Sequence, residues 1–209
     1  MKLPSRSAAL LIAAVLFLCL PAVGQKNDQA ASPAAKKSTP MTRADGDAAA
    51  NALKFPTVEG WAGTEKRPIP SPGDGYTVGY NYPGYGAVTV YVYSHRMDKI
   101  PDELAGVIKD ELEGAAGAIR QVASMGVYSD VKEGKTETIV LGGAQGKVKV
   151  LRTQFALTRG EQKMNSEIYV FPYKNNIVKL RVTRSASASD EMNDSFANLL
   201  AALDGVFIQ

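Results

Sequence analysis

From Ala87 to Ser94 the chain alternates without a break, with Val88, Val90 and Val92 on one side and Thr89, Tyr91 and Tyr93 on the other. Successive side chains of an extended strand point to opposite faces, so this pattern predicts a β-strand with one aliphatic face that must be covered. Its partner lies just upstream. Tyr76 to Tyr80 leads into Asn81-Tyr82-Pro83-Gly84-Tyr85-Gly86, a run dense in turn-forming residues, and the two segments read as a hairpin. Before them, Lys66 to Pro70 reads as an edge strand, because Pro68 and Pro70 cannot donate to a central ladder.

After Pro101 the spacing becomes helical. Leu104, Val107, Ile108, Leu112, Ala115, Ile119 and Val122 share one stripe, and Lys109, Asp110, Glu113 and Arg120 lie opposite. Pro101 suits a first helical turn, Asp102 and Glu103 suit its dipole, and Gly126 suits its end. Gly106, Gly114 and Gly117 each weaken such a helix by roughly 1 kcal/mol relative to alanine. The expectation is that packing on a sheet compensates, with the small residues allowing close approach. Four more strands follow, Thr136 to Leu141, Lys147 to Thr158, Gln162 to Tyr173 and Asn176 to Arg184. The junctions Gly142-Gly143, Arg159-Gly160 and Lys174-Asn175-Asn176 are tight enough to make them antiparallel neighbours. A capping box from Ser187 to Asp190 then precedes the stripe Met192, Phe196, Leu199, Leu200 and Leu203, which Gly205 should end. These elements predict an α+β fold, an antiparallel sheet of about six or seven strands covered by a long central helix and a C-terminal helix.

The N-terminus reads as an address. Lys2 and Arg6, an apolar run from Ala8 to Leu20, and the small residues Ala22 and Gly24 ahead of Gln25 form a signal peptide over residues 1–24. The run is well short of the roughly 20 residues a bilayer-spanning helix needs, so an uncleaved anchor is the lesser reading. No later segment is apolar enough to cross a membrane. Cys19, the one cysteine, lies inside this signal, and Leu18 before it breaks the pattern for lipid attachment. A mature chain cut after Gly24 has no thiol, which removes disulfides, cysteine nucleophiles and cysteine-ligated metals. Residues 25–52 are rich in Ala, Ser, Pro, Asp and Lys and read as a flexible tether whose end could form a short helical turn. Residues 53–209 then make a single domain. Of 24 basic residues, Lys2 and Arg6 leave with the signal, which nearly balances the 21 acidic ones and argues against a nucleic-acid partner.

The run GYTVGYNYPGYGAVTVYVYSHRMDKIPDEL, at 75–104, and the run NNIVKLRVTRSASASDEMNDSFANLLAAL, at 175–203, resemble exported bacterial proteins of uncharacterised function. The resemblance implies a PsbP-like α/β/α sandwich, a fold first known from extrinsic subunits of the oxygen-evolving photosystem. It also implies binding or assembly rather than catalysis. It brings no functional residue with it.

No reactive constellation emerges from the residues themselves. His95 is the one histidine; a typical zinc site or a nucleophile triad lacks its other members, and His95 reads as a polar residue at a strand end. Asp110, Glu111 and Glu113 on the central helix and Asp190, Glu191 and Asp194 on the last could cleave glycosides only if two converged across a cleft. Asp45-Gly46-Asp47 does not complete a calcium loop and reads as tether solvation. Tyr76, Tyr80, Tyr82 and Tyr85 crowd around the Gly/Pro turn and could form a ligand-binding lip, or simply furnish a half-exposed hairpin. Trp61 reads as a packing plug. The expectation is an exported periplasmic or secreted accessory protein that binds a protein, a peptide or a small envelope component, with no cofactor and no catalytic or metal-ligating residue. An exported hydrolase using helix carboxylates is the rival from another class, and a structural assembly factor is the third reading.

Overall fold

The computed structural model describes residues 40–63, 65–70, 75–142 and 146–208. Among them the chain forms α1 (Arg43–Ala52), β1 (Ala62–Gly63), β2 (Arg67–Pro68), β3 (Gly75–Tyr82), β4 (Gly86–Tyr93), α2 (Val107–Ser124), β5 (Ser129–Glu133), β6 (Glu137–Leu141), β7 (Val148–Arg159), β8 (Gln162–Tyr173), β9 (Asn176–Ser185) and α3 (Asp190–Phe207). The strands join one antiparallel sheet in the order β1-β3-β4-β9-β8-β7-β5, with β2 also beside β3 and β6 also beside β7. No helix among the described residues is long and apolar enough to cross a membrane.

The α+β class and the two covering helices are as the sequence implies. Tight turns make β7, β8 and β9 a meander. Lys174 and Asn175 both take positive φ, 42° and 60°, the mirror-image turn whose twist matches paired strands. The β3–β4 hairpin then docks on the last strand, pairing Val88 with Val182, Val90 with Leu180 and Val92 with Val178.

Alternation along these strands separates two cores. Val78, Val88, Val90, Val92, Phe171, Val178, Leu180 and Val182 pack with Phe196, Leu199, Leu203 and Phe207 of α3 on one face. Leu151, Phe155, Ile168, Val170 and Ile177 pack with Ile108, Leu112 and Ile119 of α2 on the other. Burying one such side chain contributes roughly 1.5–3 kcal/mol, so these two layers dominate the stabilising side of the balance. Helix α2 lies over β5, β7 and β8. Gln154 and Ala156 share the α3-facing register of β7 yet are exposed, so that corner of the sheet is covered by no helix among the described residues.

Several local expectations change. The sheet has nine strands among the described residues, because β5 and the two-residue β1 join it. Helix α2 starts at Val107, not near Pro101: Gly106 takes a φ of 51° ahead of it, Ile100 N–H is drawn to Asn175 Oδ1 at 2.6 Å, and Leu104 packs against both cores. Gly114 has open space where a Cβ would sit, so the helix glycines do not make the close approach; the buried Ala115 and Ala116 do. Helix α3 is capped by Ser189, whose Oγ accepts the Met192 N–H at 3.3 Å, rather than by a Ser187 box. It runs through Gly205 because Val206 and Phe207 are buried and hold its last turn.

The end of the expected tether is folded. Residues 43–52 form α1, where Thr42 and Asp45 cap the first turn reciprocally and Asp47 pairs with Arg43 at 2.8 Å. Asp45 and Asp47 therefore have structural roles in place of solvating a linker. The expected signal over 1–24 and tether residues 25–39 lie outside the described residues.

Candidate binding site

The four tyrosines proposed as a lip do not form one. Tyr76, Tyr80 and Tyr85 are 6%, 2% and 2% exposed, within the α3-side core. Their hydroxyls donate to Ala50 O, Pro56 O and Asn193 Oδ1. Burial pushes the Tyr80 hydroxyl up to about 12. Tyr82 is half-buried, edge-on to Trp61 and Tyr85. Trp61 is a packing plug, 4% exposed, with its Nε1 donating to Ser195 Oγ at 3.1 Å. The hairpin's alternation put these rings on the valine face, and that face is the core.

His95 does meet one of the helix acids. Its Nε2 lies 2.9 Å from Glu111 Oε2, while Lys179 Nζ holds Oε1 of the same carboxylate. Burial works against the Glu111 charge, but hydrogen bonds from Lys179, Tyr93 and His95 and the lysine's charge hold it below its ordinary value. The group is an ionised anchor between α2, β9 and the end of β4, with no nucleophile in the cluster. Of the other helix acids, Asp110, Glu113, Asp190, Glu191 and Asp194 are exposed. Glycoside cleavage needs a raised acid and an ionised partner about 5–10 Å apart. Burial does raise Asp204, but it faces a gap of about 10 Å³ lined by Leu141, Phe171, Leu203 and Phe207 without a second acid.

The most buried charged side chain among the described residues is one that the sequence reading did not single out. Glu167 of β8 is 3% exposed on the α3-side face. Its Oε1 accepts from Arg184 Nη2 at 2.9 Å, its Oε2 accepts from the Tyr169 hydroxyl, and Arg152 Nη1 stands 4.0 Å away. Arg152 also binds Glu137 at 3.0 Å, and Arg184 reaches Asn193, which accepts from Tyr85. Burial opposes the Glu167 charge, yet Tyr169, Arg184 and Arg152 together hold its carboxyl below the ordinary range. The register assembles this row: Glu137 faces Arg152 and Arg152 faces Tyr169 across adjacent strands. A signal was present in the sequence. Tyr169, Phe171 and Tyr173 are apolar members of one face of β8, and Glu167 breaks that face.

Above this floor is a recess of about 360 Å³, lined by Lys132, Gly134, Gln154, Asn165, Glu167 and Arg184 among others. The side chains of Lys132, Gln154 and Asn165 make no hydrogen bond or ion pair among the described residues, so an ammonium and two amides converge uncommitted over a rigid charged base. A larger recess of about 460 Å³ lies beside α1 and is lined in part by Tyr76. Apart from the Asn51 side chain, its polar side chains are already committed: Tyr76 to Ala50 O, Lys66 to Asn51 O, Asn176 to Gly46 O and Asp47 to Arg43. Volume favours the second recess and available chemistry the first. Recognition depends on free donors and acceptors, and here they stand over a buried charged base, so of these two the Glu167 recess is the candidate site. No group of three or more metal-ligating side chains occurs among the described residues.

No protein-family model and no curated protein matches the chain. Among solved structures it is similar to the solution structure of cyanobacterial PsbP (CyanoP) from Synechocystis sp. PCC 6803, at 16% identity and a TM-score of 0.43, over 71% of this chain and 79% of that one. A PsbP-like fold is what the sequence resemblance implied. The recess residues stand on their own geometry.

Proposed function

We propose that this is an exported, non-enzymatic accessory protein that binds a small polar envelope component, or a polar peptide side chain, in the recess above Glu167. The observation that carries the reading is the convergence of Lys132, Gln154 and Asn165, all uncommitted, on a base immobilised by Arg152, Arg184 and Tyr169. The base beneath them is held by its own ion pairs and needs no rearrangement on binding, which removes part of the cost of association. The ammonium and amides suit a group rich in acceptors, such as a carboxylate or a cluster of hydroxyls. Export rests on the residue pattern of 1–24, and the accessory role on the commitment of the acids and hydroxyl around the recess: Glu167 is held by Arg184 and Tyr169, Glu133 by Arg120, and the Ser166 hydroxyl donates to Val182 O.

A photo-reactive residue in place of Gln154, compared with one in place of Lys109 on the exposed side of α2, tests this in intact cells. A defined adduct at position 154 that is absent at 109 supports the reading. Equal labelling at both positions overturns it. Hydrolytic turnover by the purified protein that disappears with Glu167→Gln would establish the hydrolase instead.

A further inference from the structure

We propose that β6 is a self-association edge, through which a second copy of this chain pairs antiparallel and extends the sheet across a two-fold axis. An outer strand presents unpaired backbone N–H and C=O groups, and soluble proteins usually blunt it with proline, charge, a bulge or brevity. The other outer strands here are blunted in those ways. Strands β1 and β2 are two residues each, and β2 contains Pro68. Strand β5 has a register shift between Ser129 and Lys132, a left-handed Asp130 at φ 51°, and three charged residues in five.

Strand β6 has no proline and no bulge, and its single charge, Glu137, is paired with Arg152 of the neighbouring strand. It pairs with β7 in unbroken register from Glu137–Arg152 to Leu141–Val148, and its other side faces no strand among the described residues. Its sequence, ETIVL, has a β-branched or aliphatic residue at every position after the first. Val140 stands 53% exposed, one of few large apolar side chains so placed among the described residues.

The partner that fits is another β6. Antiparallel pairing centred on Ile139 sets Glu137 opposite Leu141 of the second copy and Thr138 opposite its Val140, so no like charges face each other and the exposed valine gains a β-branched neighbour. Beside the strand, Lys147 and Lys149 share a groove of about 560 Å³ with Asp102 and Glu103. Both signs are present in equal number, the condition under which a patch can meet its own image without repulsion. Five residues a side make a small contact, which belongs to the weak, reversible class of interface below about 1,200 Å².

Sedimentation of the untruncated protein tests this across roughly 1 μM to 1 mM, the range in which such weak contacts form. The proposal expects average mass to rise toward twice that of the monomer, and expects Val140→Lys to weaken association at least tenfold. Val140→Lys should fold normally because the side chain is already exposed; unchanged circular dichroism and Tm confirm it. A single monomeric species across the range overturns the proposal. So does a dimer that Val140→Lys leaves intact, since it would use another surface.

Discussion

Arg43, in the first turn of α1, donates from its Nη2 to the Asn176 side-chain oxygen at 2.7 Å, joining α1 to the start of β9. Asn176 is 2% exposed, and its amide nitrogen also donates to Gly46 O at 2.7 Å and Lys174 O at 3.0 Å. Helix α1 has little apolar surface of its own, so these bonds and the capping box keep it in place. Asn176→Ala leaves several buried polar groups unpaired and is expected to cost about 2–3 kcal/mol in urea unfolding. Hydrogen exchange should show α1 opening before the sheet. Loss of stability without early opening of α1 would mean that the helix is held in another way.

The Glu167 network is expected to be the most costly polar feature to break. Glu167→Ala strands Arg152 and Arg184 without their shared carboxylate, and removing one partner of a buried ion pair typically costs about 3–5 kcal/mol. Chemical denaturation of the variant checks this. A change below about 1 kcal/mol would show that water already screens the pair.

Acid should act through the same residue. In the folded chain both Glu167 and Glu111 titrate below the ordinary carboxyl value. Each depressed carboxyl contributes stability that is fully present above its unfolded value and is lost as pH falls through its folded one. Stability is therefore expected to hold from neutral pH down to about 4.5 and to decline below it. Glu167→Gln should flatten part of that decline. A decline just as steep in the variant would assign it to other groups.

Glycine substitutions should split by site. Gly114 in α2 has open space around its missing Cβ, so Gly114→Ala is expected to stabilise by about 0.5–1 kcal/mol. At Gly86 in β4 a Cβ would meet Thr183 O at 2.4 Å and Arg184 Cα at 2.8 Å. Gly86→Ala is expected to destabilise by about 1–3 kcal/mol as β4 and β9 are forced apart. Paired thermal melts decide both signs.

Much of this fold was legible because its signals are local. The valine–tyrosine alternation of β4, the two-residue turns around β8 and the stripe of α3 each specify their element within a few residues. The misreadings share a cause in long-range contacts. Nothing in the sequence near Arg43 shows that Asn175 and Asn176 await it, and nothing near Pro101 shows that Asn175 will draw Ile100 N–H away from a helix start. Strand β5 was missed because SDVKE has no alternation to detect. The tyrosines were visible as a cluster, but choosing core over surface required knowing that α3 covers the valine face. Lys132, Gln154 and Asn165 come from three strands and meet only through register.

The most direct test of the binding account is nitrogen-15 NMR of the purified protein titrated with the low-molecular-weight fraction of the cell envelope, because side-chain amides give their own signals. The account predicts saturable shifts at the Gln154 and Asn165 side-chain amides and at the Gly134 backbone amide, with little change beside Tyr76 and Lys66. Shifts confined to the α1 recess, or none at Gln154 and Asn165, would contradict it.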